Sequence, residues 1–141
     1  MVNNKTTQEA RDNLLKPYFE NFENNIKQYD WAKSGYLGGC QRYSGLPVKE
    51  LQECFDKGYI LPDDQQNDAP PAQKFLEFIT KYPVFTVHGY VVDATRPDFR
   101  MTIEGLEGQT DDKDKQEEFV TFCRNADENK VHQGHCYSWW D

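Results

Sequence analysis

The residues with the greatest chemical capacity in this chain are Cys123, His132, His135 and Cys136. A His-x-x-His pair can present two nitrogens to one zinc ion, and two thiolates would complete the set. The order of the residues opposes this. His135 and Cys136 are adjacent, and neighbouring side chains on a strand point to opposite faces, so both cannot reach one ion without local distortion. The expectation is two histidines in a solvated turn, two cysteines serving as small core hydrophobes, and no metal or other cofactor.

Cys40, in Gly38-Gly39-Cys40, is a second candidate. A thiol becomes nucleophilic beside a base or a positive field, so this one would have to meet a residue such as His88 in space. No protease or transferase signature surrounds it, and the glycines fit a turn. Gly35-x-x-Gly38-Gly39 makes a poor phosphate cradle, with no Lys-Ser/Thr after it and no buried strand before it. The sequence thus names no catalytic residue, and the chain reads as a binding protein rather than an enzyme.

A third group is polar. Thr86, His88 and Tyr90 share one face of an expected strand, and Arg100, Thr102 and Glu104 share one face of the next. A register that buries Phe85, Val87 and Val91 with Phe99, Met101 and Ile103 gathers these six on the opposite side. His88, Tyr90 and Arg100 would then suit recognition of a small molecule or nucleotide, or catalysis on one. A solvated sheet face of ordinary composition is the plainer expectation.

The fourth group is acidic. Residues 1 to 62 hold eight Lys/Arg against eight Asp/Glu, whereas residues 63 to 141 hold eight against sixteen, so the second half carries the whole formal charge of −8. Such a surface repels nucleic-acid phosphates and anionic lipid and draws in basic partners. Asp111, Asp112, Asp114, Glu117 and Glu118 are its densest stretch, with Trp139 and Trp140 as aromatic anchors for a partner. Pro47 to Ile60 has the length of a DNA-reading helix-turn-helix segment, but it lies in a neutral region of an acidic chain, whereas such segments gain their affinity from Lys and Arg that neutralise phosphates.

These residues must be positioned by elements that the pattern locates. Thr6-Thr7-Gln8-Glu9 has the capping-box form of a helix start, and Leu15, Phe19, Phe22, Ile26 and Tyr29 recur at helical spacing, with Pro17 kinking the run or restarting it. Ser34 to Gly45, with four glycines, reads as loop around a short strand at Tyr36 and Leu37. Pro47 opens a helix with Val48, Leu51 and Phe55 inward, and Gly58 closes it. Leu61 to Pro71 is a linker rich in Pro and Asp. Phe75, Phe78, Ile79 and Tyr82 form the apolar stripe of a further helix ending before Pro83, and Val84 to Val92 with Phe99 to Ile103 form a hairpin. Asp112 to Ala126 fits a helix better than a strand, and Cys136 to Trp140 is a last strand.

The predicted fold is α+β: N-terminal helices and a small antiparallel sheet in a two-layer single domain, with a split βαβ-like order in the second half. It has a neutral part over 1–62, a linker at 63–69 and an acidic part over 70–141. No apolar run approaches the roughly 18 residues of a membrane helix, and the start resembles no signal peptide, so the expected setting is cytoplasmic. The expected partner is a basic protein, with no direct contact to nucleic acid or membrane. An immunity protein or inhibitor of a basic, nucleic-acid-handling target would have these properties. A domain that only builds an oligomer through its aromatic helices is the remaining possibility.

Overall fold

The computed structural model describes residues 4–20 and 39–141. Phe22, Ile26, Tyr29 and the strand expected at Tyr36 and Leu37 lie outside the described residues. Four α-helices are seen among those described: α1 (Asn4–Leu15), α2 (Val48–Asp56), α3 (Ala72–Lys81) and α4 (Lys113–Phe122). Five strands accompany them: β1 (Cys40–Leu46), β2 (Phe85–Val92), β3 (Gly105–Gln109), β4 (Glu128–His132) and β5 (His135–Trp139). All neighbouring pairs are antiparallel and the order is β1-β2-β3-β5-β4, so the fold is α+β, with helices α3 and α4 laid on one face of one sheet.

The helix starts follow local chemistry. Pro17 stops α1, which passes into a short 3-10 turn over Lys16–Tyr18. Thr6 stands inside α1 rather than before it, because the helix begins two residues earlier, at Asn4. Pro47 and Pro71 immediately precede α2 and α3, where a missing backbone N–H costs nothing. Asp112 caps α4 by accepting from the amides of Asp114 and Lys115, so the 112–126 segment is helix up to Phe122 and turn from Cys123 to Ala126.

An aromatic cluster joins the layers. Phe78 of α3 lies 5.5 Å from Phe85 of β2, Phe85 stacks on Phe119 of α4 at 5.4 Å, and Phe75 meets Phe122 and Trp140 edge-on at 5.4 and 5.6 Å. Leu51, Phe75, Ile79, Val87, Val91, Met101 and Ile103 are buried, as their periods require, while Phe19 and Phe55 are only half-buried against the cluster. In α2 it is Cys54, not Phe55, that completes the buried face.

The expected second strand of the hairpin, Phe99 to Ile103, is only an extended segment bridged to β2 at Met101, and the strand that pairs with β2 on that side is β3, further along the chain. Val92 and Thr102 donate to the carbonyls of Arg100 and Tyr90, both at 2.8 Å, and Val91 bridges Met101. Both Glu104 and Gly105 then stand opposite His88, a bulge after which β3 continues the ladder to Gln109. The sheet also has two strands outside the expectation. Cys40–Leu46, expected as loop, is β1: Gln41, Tyr43 and Leu46 turn inward, and the strand joins the neutral part of the chain to the acidic part. β4 is the other, folded back on β5 by Gln133 and Gly134, whose φ values of 49° and 82° are those of a two-residue hairpin turn.

Arg11 is the least expected core residue. It is 1% exposed, donates to the carbonyls of Val92 (3.1 Å) and Arg100 (3.3 Å), and lies over the Phe99 ring at 4.8 Å, fastening α1 to the hairpin loop.

Candidate functional site

The sheet separates the metal candidates. His132 and His135 are register partners at the exposed end of the β4–β5 hairpin, while Cys123 and Cys136 are buried on the other side. All four cysteines are free thiols. Burial pushes the Cys123 thiol up to about 12, so it is a packing group. Among the described residues no three His, Cys, Asp or Glu side chains cluster in a way that could hold a metal ion. Cys40 is not beside His88: it pairs with Val92, four residues further along β2, which is roughly 13 Å away at strand rise. Its Sγ instead accepts from Nη1 of Arg96 at 3.2 Å.

The six polar hairpin residues do share one side, but their polar groups are already engaged, Tyr90 with Arg100 and Thr102 and the others with neighbouring residues. His88 is 5% exposed, and Thr102 and Glu104 are buried with it. Arg42 of β1 meets Glu104 at 2.7 Å. Nη2 of Arg100 donates to the Tyr90 hydroxyl at 2.8 Å, while its Nη1 is held by Asp98 at 2.7 Å. The His88 ring stacks on Tyr137, centroids 5.1 Å apart, and its Nε2 donates to the Ser138 carbonyl at 2.7 Å. Gly105 makes that reach possible, because a β-carbon there would stand 2.5 Å from Nε2 and overlap the Ser138 carbonyl oxygen. Arg42, Gly105 and Tyr137 therefore belong to this group, although no spacing in the sequence singles them out.

Burial lowers the His88 pKa below the usual histidine value, with the nearby Arg42 charge acting the same way and the Ser138 bond opposing. The unfolded chain therefore binds this proton more readily than the folded one. The stabilisation is complete above the ordinary histidine pKa near 6.5 and is lost as pH falls through the lower folded value. The urea midpoint should accordingly drop on acidification below about pH 6.5, and His88→Gln should flatten that part of the profile. An identical slope in both proteins would contradict the buried neutral ring.

The acidic stretch lies where a partner can reach it. Asp111, Asp112, Asp114, Glu117 and Glu118 are all exposed on α4 and the turn before it. Beside them is a groove of about 420 Å³ between α4 and β4, with Glu117, Val120 and Val131 among its lining. Val120 and Val131 are 45% and 37% exposed, two of the few large apolar side chains in this position. Sequence periodicity did not reveal them, since Val120 lies off the Phe119–Phe122–Cys123 stripe and Val131 stands alone between Lys130 and His132.

No known family, curated protein or solved structure matches the chain.

Trp140 is corrected as a partner anchor: it is 1% exposed and packed against Phe75, so it is core. Trp139 points to the opposite face of β5 and is half-buried there. Asp112 has a second duty as the α4 cap, which removes it from any clean test of surface charge. No helix among the described residues is long and apolar enough to cross a membrane.

Proposed function

We propose that the protein acts by binding a basic protein partner through the α4–β4 surface. The observation that carries this reading is the groove with exposed Val120 and Val131, bordered by Glu117 and Lys113, on the helix that also exposes Asp114 and Glu118 just after Asp111. Protein interfaces combine an apolar centre with a polar rim, and here the rim is Glu117, Lys113 and Gln116, with the excess of carboxylates lying along the rest of α4 and the turn before it. The partner it fits has an aliphatic side chain set among Lys and Arg. A target that normally grips phosphate would be occupied by these carboxylates in its place, which is the role of an immunity protein or inhibitor of a nucleic-acid-handling protein.

The test is kinetic. A partner captured by the full chain should associate about tenfold more slowly with the Asp111→Lys, Glu117→Lys, Glu118→Lys triple variant, and raised salt should slow the wild type toward the same rate. Val120→Asp should act mainly by speeding dissociation. Glu20→Lys, exposed in the neutral part, is the control that leaves both rates nearly unchanged. A partner indifferent to salt, to the triple reversal and to Val120→Asp would refute the assignment.

A further inference from the structure

A second cavity, of about 120 Å³, lies between the 61–71 linker and residues 100–103, with Ile60, Gln65, Gln66 and Ala72 on the linker side. Its other wall is a strand edge. The amide of Thr102 and the carbonyl of Arg100 are used toward β2, so by strand alternation the N–H and C=O groups of Met101 and Ile103 point away from β2, toward the linker. Among the described residues these four groups have no hydrogen-bond partner, yet Met101 and Ile103 are only 2% and 4% exposed. Buried backbone groups are rarely left so, because an unmade bond costs the full desolvation of the group.

The ligand that would satisfy them is constrained in three ways. It must offer both donors and acceptors along one edge, as the outward backbone does. It must be close to neutral, since the cavity wall carries one carboxylate, Asp64, and one guanidinium, Arg100, the latter sharing Asp98 with Arg96. It must also be compact, because the volume is of the order that accepts one aromatic ring, about 150 Å³ in a cavity known to take benzene. An added peptide strand fails the last condition, since the linker lies across this edge. Ile60 and Ala72 supply the apolar walls that a flat ring prefers.

We propose that this cavity binds a single nucleobase-sized ring, its neighbouring N–H and C=O groups pairing with the outward backbone of Met101 and Ile103. The site is separate from the α4–β4 surface and does not rest on the reading given to it.

Uracil, cytosine and thymine titrated into the isotope-labelled full chain provide the test, read from the backbone amide resonances. The Met101 and Ile103 amides should shift saturably with at least one of the three bases. If uracil is that base, 1,3-dimethyluracil, which keeps the ring but loses both N–H donors, should bind about a hundredfold more weakly or worse. If cytosine or thymine is, the analogue methylated at its pairing nitrogens should show the same loss. Amides that stay unmoved at millimolar concentrations of all three bases would mean that water alone satisfies this edge and would overturn the proposal. So would a methylated ring that binds as well as its parent.

Discussion

Replacing Phe75 by Ala is expected to destabilise the protein by about 3–5 kcal/mol, the usual loss for a buried aromatic, and to lower the thermal midpoint by about 10 °C. The side chain is fully buried and touches two other rings edge-on, Phe122 of α4 and Trp140 beyond β5. Its removal therefore opens a void where both helices and the sheet meet, and none of the three can collapse into it without giving up other contacts. A scanning calorimetry trace with an unchanged midpoint would mean that the α3 face is wrongly assigned.

Gly105→Ala should rival it from a single methyl group. The new carbon would overlap the Ser138 carbonyl oxygen, which belongs to the backbone of an inner strand, and would crowd His88 Nε2 at 2.5 Å. A flexible side chain could swing aside, but β5 is held between β3 and β4 and cannot. The expected loss is at the upper end of about 1–3 kcal/mol, with the β3–β5 ladder spread apart and the His88–Tyr137 stack broken. Hydrogen exchange of the β3 and β5 amides should accelerate selectively. Unchanged exchange and stability would show that the imidazole does not pass over Gly105.

The elements that were legible in the sequence are those whose buried faces are apolar. Phe75, Phe78 and Ile79 announce α3, and the β-branched run from Val84 announces β2, because burial and period coincide there. β1 escaped because its inward residues include Gln41 and its glycines read as turn, and β4 because only Val131 in it is apolar. The two adjacent tryptophans show the same limit. Strand alternation places Trp139 and Trp140 on opposite faces, and their shared chemistry does not say which is inside. The answer lies with Cys136 and Ser138, which share the face of Trp140 and are fully buried. At the candidate sites, the acidic stretch was visible as composition. The groove beside it and the unpaired edge at 101–103 were not, since both arise from segments distant in sequence.

An open sheet ends in two rims, and each is a template on which another chain could add strands without limit. Here the chain itself covers part of one rim, for Phe19 bridges Tyr43 and the Glu20 amide donates to the Arg42 carbonyl at 3.0 Å, laying two residues along β1. The other rim, β4, is five residues long and carries Glu128, Lys130 and His132. Strands that are brief and charged pair poorly with copies of themselves. Both features oppose edge-to-edge addition, so association of copies through the β1 and β4 rims is expected to be disfavoured.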